Sequence, residues 1–165
     1  MSLGLTTISE EIAEVLETRL RALIRNSTYN TNVTSVIRPR RLESRTIQDR
    51  QIVIIEGAHD RVPELDHEGN PPAEAWRLVF NIYCHVKNDE RKCEAIDKIC
   101  KTFAADVKKA VCSVDSRWYT FGENAIDAVW QSTEPISAQG GFDGVNTPIA
   151  ITYRVSEDDP YEVRA

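Results

Sequence analysis

The stretch Ala75-Trp-Arg-Leu-Val-Phe-Asn-Ile-Tyr-Cys-His-Val-Lys87 decides the fold. An extended chain sends successive side chains to opposite faces, and here Trp76, Leu78, Phe80, Ile82, Cys84 and Val86 share one of them. Arg77, Asn81, His85 and Lys87 take the other, with Val79 and Tyr83. The alternation predicts a long strand with one side in the core and one side available to a partner.

Downstream, Asn88-Asp89 opens a predicted helix that runs to about Val111, with Cys93, Ile96, Cys100, Phe103 and Val107 as its apolar stripe. Upstream, two shorter strands are expected. Gln51–Glu56 carries the β-branched run Ile52-Val53-Ile54-Ile55, and Thr34–Arg40 contains Pro39. A proline removes a ladder donor, which assigns the latter to a sheet edge. Between them and the central strand, Gly57 to Ala75 is acidic, aperiodic and contains Pro63, Pro71 and Pro72, so it reads as a loop of nearly twenty residues.

At the start of the chain, Ile8, Ile12, Val15, Leu16, Leu20, Leu23 and Ile24 repeat at helical spacing within Thr7–Arg25. Thr7 or Ser9 can cap this helix, Glu10 and Glu11 suit its first turn, and Asn26-Ser27-Thr28-Tyr29-Asn30 stops it. Beyond the second helix, strands are expected over Ala125–Ile136 and Thr147–Ser156, and Gly140-Gly141-Phe142-Asp143-Gly144 marks a flexible hairpin tip. The order α-β-β-β-α-β-β predicts an α+β fold: a single domain over residues 1–165, with a mixed, mainly antiparallel sheet of about five strands packed by two main helices.

Composition narrows the function. The 165 residues are 41% hydrophobic and 28% charged with only 7 Gly and 7 Pro, which describes a globular chain rather than a disordered or collagen-like one. The net charge of −6 disfavours a protein that coats nucleic acid. No apolar run reaches the roughly 20 residues of a membrane span, and the start Met1-Ser2-Leu3-Gly4 lacks a signal-peptide pattern, so a cytoplasmic site of synthesis and residence is expected. Cys84, Cys93, Cys100 and Cys112 form no CxxC pair and read as reduced, mostly buried thiols.

The motifs of catalysis are missing: the sequence contains no HExxH, GxxxxGK[ST] or GxSxG, and no GxGxxG after a strand. No catalytic residue, cofactor site or metal site is assigned. His59-Asp60 with Asp66-His67-Glu68 gathers imidazoles and carboxylates, but no regular element fixes their spacing, and a solvated acidic loop is the better reading. His85 reads as an ordinary residue of the strand's polar face, and Asp89-Glu90 and Asp158-Asp159 as hydrated ends of elements. Arg38, Arg40, Arg41, Arg45 and Arg50 concentrate positive charge in an acidic chain. Their forks can clamp carboxylates of a neighbouring subunit, pair within the chain with Glu43 or Asp49, or touch phosphates.

This arrangement of elements, with the opening Ile12-Ala-Glu-Val-Leu-Glu-Thr-Arg-Leu-Arg-Ala-Leu-Ile24 and the closing Ile149-Ala-Ile-Thr-Tyr-Arg-Val-Ser-Glu-Asp-Asp-Pro-Tyr161, resembles the tail-terminator, or tail-completion, proteins of long-tailed bacteriophages. The resemblance spans most of the chain as an order of elements. It implies a non-enzymatic subunit of a hexameric ring at the head-proximal end of the tail tube, in the virion after assembly in the host cytoplasm. The implied partners are further copies of the chain, the tail tube protein and a neck or head-completion protein, with the tail sheath as a further one. DNA would pass without specific binding. Six copies at −6 each carry about −36, which discourages DNA from adhering to a channel.

On this reading the interface candidates are Arg38, Arg40, Arg41 and Arg45, then Asp60, Asp66 and Glu68 in the acidic loop, and Gly140, Gly141, Phe142 and Gly144 at the hairpin tip. The Gly57–Ala75 loop and the Ala138–Asn146 tip are expected to be mobile in the free subunit and to order on assembly. The competing readings are another neck component, head-completion adaptor or tail initiator, a small enzyme or ligand-binding domain using His59 to Glu68, and a nucleic-acid module using the arginines.

Overall fold

The structure, a computed structural model, describes residues 6–39, 47–87, 95–139, 142–159 and 161. The chain runs α1 (Ile8–Arg21), β1 (Ser35–Ile37), β2 (Gln51–Arg61), β3 (Ala73–Lys87), α2 (Ile96–Cys112), β4 (Asp127–Trp130), β5 (Glu134–Gln139), β6 (Phe142–Asn146) and β7 (Ile149–Ser156). Two helices and a mixed sheet make the fold α+β, as the periodicities predict. Helix α1 is capped by Thr7, whose side chain accepts from the Glu10 amide. It ends earlier than expected, at Arg21, in tight turns that carry the chain to Ile24. Helix α2 starts at Ile96, because the extended Ala95 is its N-cap. Its expected beginning at Asn88 and its expected stripe residue Cys93 lie outside the described residues.

Among the described residues the sheet contains seven strands, not about five, and the excess has a simple cause. β3 pairs β2 along one edge, and along the other it pairs β7 with residues 73–80 and β6 with residues 83–87. β4 pairs β7 and β5 pairs β6. The strands β6 and β7 therefore share one position in the sheet, and β4 and β5 share the next. Pro148 has no N–H to continue a ladder, so one extended run divides there. The ladder bridges the gap, since Thr147 N donates to Ile82 O and Gln131 N to Pro148 O. The expected strand Ala125–Ile136 correspondingly divides at 131–133. β1, parallel to β2, forms one edge, as Pro39 suggests; β4 and β5 form the other, where Pro135 costs no needed donor.

Both helices cover one sheet face. Leu78, Phe80, Ile82, Cys84 and Val86 of β3 meet Ile12, Leu16 and Leu20 of α1 and Ile99, Phe103 and Val107 of α2 in one cluster. Trp76, Ile96 and Cys100, expected in the core, pack at its margin. Ile149, Ile151, Tyr153 and Val155 of β7 extend the same surface. Two polar ties join the helices and their flanking loops. Arg19 donates to Val111 O and Trp118 O, and the buried Asp106 accepts the Thr31 amide at 2.6 Å. The described cysteines Cys84, Cys100 and Cys112 are free thiols. Burial pushes the Cys84 thiol up, far from the thiolate form.

Candidate interaction surface

Of the arginine cluster, Arg40, Arg41 and Arg45 lie outside the described residues. Arg38, just past β1, is already engaged inside the subunit: its two terminal nitrogens donate to Glu10 Oε1 at 2.8 Å and Oε2 at 2.9 Å, with Glu17 at 3.7 Å. This fork holds the Glu10 carboxyl below the ordinary carboxylate value. The expected intrachain partners Glu43 and Asp49 are thus replaced, for Arg38, by Glu10 and Glu17 of α1. Among the described arginines of the cluster, Arg50 approaches Asp49, with Nε 3.9 Å away.

The acidic loop is corrected by the structure. Residues 57–61 belong to β2 and continue to pair with β3 across a register shift between Glu56 and His59, with His59 opposite Leu78, Asp60 opposite Arg77 and Arg61 opposite Trp76. A bulge inserts residues without ending a ladder, and this one hides the strand's period. Only 62–72 connects the strands, and it has partners of its own. His67 and Ala73 exchange backbone hydrogen bonds, Arg154 donates to Leu65 O at 2.8 Å, and Glu157 N donates to Pro72 O. Asp66 accepts the Ala75 amide at 2.8 Å and Arg61 at 2.9 Å, and the backbone bond first, then the cation, holds its carboxyl low. The expectation that only a partner surface can order this segment is replaced by a tip tied within the subunit. Asp60, in β2, and Glu68, on the tip, are exposed.

The glycine-rich tip is corrected as well. Gly140 and Gly141 lie outside the described residues, but Phe142 and Gly144 are strand positions in β6. Phe142 stands opposite Lys87 and Gln139, and Gly144 opposite His85 and Ile136. Gly144 is needed for close approach, since a Cβ there would come within 2.5 Å of the Cys84 carbonyl oxygen.

The structure separates the imidazoles and carboxylates of the loop. His59 Nε2 lies 2.7 Å from Tyr153 Oη and its ring meets Trp76 edge-on, while Asp66 serves Arg61 and the Ala75 amide. Among the described residues no three His, Cys, Asp or Glu side chains are placed to hold a metal. Burial raises the Tyr153 hydroxyl to about 12, so it acts as a neutral hydrogen-bonding group. His85, expected on an accessible polar face, is buried.

Three features were not legible in the sequence. The helix-free sheet face ends at β4 with Val129 55% exposed, and it is β4's pairing, not its composition, that makes this an edge. A mostly apolar cleft of about 340 Å³ lies between the first turns of α2 and the β5–β6 hairpin, lined by Ile96, Cys100, Pro135, Ile136 and Val145. A smaller polar cavity of about 170 Å³ brings together Asn30, Thr31, Arg50, Lys98 and Thr102, from three separate segments. No described helix is long and apolar enough to cross a membrane. No protein-family model and no curated protein sequence matches the chain.

Proposed function

We propose that the chain is a structural, non-catalytic subunit of a ring, six-membered by resemblance, that terminates the tail tube of a long-tailed phage and joins it to the neck. The observation that carries this reading is the pair of unlike open edges. β1, parallel to its neighbour, bounds one side of the sheet, and the antiparallel β4 and β5 bound the other. A subunit with two different contact surfaces associates head to tail, and such contacts close into rings when the rotation permits. The acidic charge supports it, because a negatively charged ring repels DNA in transit.

In this reading the protein resides in the virion at the tail–neck junction, and its partners are its own copies, the tail tube protein and a neck or head-completion protein, with the tail sheath as a further contact. Arg40, Arg41 and Arg45 remain candidate donors to those partners, whereas Arg38 supports the subunit from inside. The test adds purified protein to polymerising tail tubes and images them by electron microscopy. Rings at one tube end and an arrest of growth are expected. Tubes that elongate unchanged at excess protein would overturn the assignment.

A further inference from the structure

The apolar cleft between α2 and the β5–β6 hairpin also holds a carboxylate. Asp143 stands in β6 opposite Val86 of β3 and two residues before Val145, so by the alternation of a strand it shares the core-facing side, on which α2 lies. Among the described residues its Oδ2 is buried without a hydrogen-bond partner. The wall around it is apolar, with Ile96 and Cys100 from α2 and Pro135, Ile136 and Val145 from the hairpin. The other charged groups at the cleft, Asp97 and Lys101, pair with each other across one turn of α2 at 3.6 Å and are largely exposed. The Asp143 charge reaches into the cleft: burial first, and then this carboxylate, push the Cys100 thiol up.

An ionised carboxylate only accepts hydrogen bonds, and a buried oxygen left without a donor is costly to the fold. The group that suits both parts of this cleft has an apolar stem and a donor at its end. Lysine and arginine side chains have that form. Arginine is the better match, because a guanidinium is more weakly hydrated than an ammonium and its planar fork fits a carboxylate. At about 340 Å³ the cleft is at the small end of ligand-sized cavities, which suits a side chain and an apolar neighbour. The chain carries 26 acidic side chains against 20 lysines and arginines, so a basic partner is matched to it in overall charge as well. Its own Arg19, Arg38, Arg61, Arg117 and Arg154 already donate to oxygens within the subunit.

We propose that the Asp143 cleft docks a segment of a different, basic protein, seating an arginine whose guanidinium donates to Asp143 Oδ2 and whose stem lies along Ile96, Ile136 and Val145. The contact uses side chains between α2 and the hairpin, not the open backbone of β1, β4 and β5. It therefore stands or falls separately from the ring reading.

The experiment titrates the full, isotope-labelled chain with the N-acetyl, C-amide dipeptide leucyl-arginine and follows amide shifts by NMR, with leucyl-citrulline as the neutral isostere. Saturable shifts are expected at Ile96, Cys100, Ile136 and Val145. Citrulline in place of arginine, or Asp143→Asn in place of the carboxylate, should each weaken binding about tenfold. The thermal midpoint of Asp143→Asn should equal or exceed that of the wild type, because Oδ2 loses no hydrogen bond within the subunit. Equal affinity for the two dipeptides, unchanged affinity in Asp143→Asn, or no shifts at the cleft would overturn the proposal. So would a loss of stability in Asp143→Asn, which would assign the carboxylate to the fold. Self-association of the wild type that Asp143→Asn abolishes in sedimentation velocity would make the occupant a second copy and overturn the foreign partner.

Discussion

The two halves of β2 are chemically unlike although they form one continuous strand. From Gln51 to Ile54 every residue is buried, whereas Gly57 to Arg61 is exposed throughout. The first half is held by apolar contact with the helices through Ile52 and Ile54. The second is held by its ladder to β3 and by side chains that tie the tip, Asp66 above all. A strand can thus be driven by burial in one half and by its neighbour's backbone in the other, and only the first mechanism leaves a period in the sequence.

The largest effect should come from the buried half. Phe80, 1% exposed and opposite both Glu56 and Ile149, should cost about 3–5 kcal/mol when cut to alanine, measured by urea unfolding. A Phe80→Ala chain that unfolds cooperatively at the wild-type midpoint would mean that the helices do not define the core.

The glycines give a sharper contrast. Gly144→Ala should cost about 1–3 kcal/mol, because the new Cβ meets the Cys84 backbone. Gly57→Ala, in the exposed half, meets chiefly the Asn81 side-chain nitrogen at 2.8 Å, which can swing away, and should cost less. Reversal of this order in thermal melts would contradict the packing described for β6.

A smaller effect tests α1 against β1. The Glu10–Arg38 pair is partly exposed, so Glu10→Gln should cost only about 0.5–1 kcal/mol near neutral pH. Because the folded carboxyl titrates below its unfolded value, the contribution is full above about 4.5 and disappears as pH falls through the depressed folded value. Wild type and variant should therefore converge in stability at low pH. The smallest global effect is expected for Asp66→Asn: hydrogen exchange should quicken at the Ala75 amide and around the tip, while the amides of Ile52–Ile55 keep their protection. Loss of protection throughout β2 would show that its halves are one cooperative unit.

These contrasts explain what was readable in advance. The alternation of Trp76–Val86, the stripe of α1 and the run Ile52–Ile55 are signals of burial, and they placed the α+β class and most of the core correctly, with Trp76 at the margin. The extension of β2 to Arg61 was hidden because its side chains face water on both sides and a bulge breaks the alternation. β6 was hidden because Gly144, read as a turn residue, is a strand residue where two backbones nearly touch. Of the candidate surface, Arg38 reads from the sequence as an interface donor, whereas its fork is taken by Glu10, 28 positions away within the chain, and no local pattern encodes that. The Arg50–Lys98 cavity joins three distant segments and exists only once the chain is folded.

The central claim, a subunit with two unlike edges that closes into a ring, is tested most directly by native mass spectrometry of the wild-type chain at low ionic strength. The account predicts a discrete species at about six times the 18.7 kDa of the chain, weakened by added salt. A monomer at every concentration, or a two-fold dimer as the end state, would contradict it.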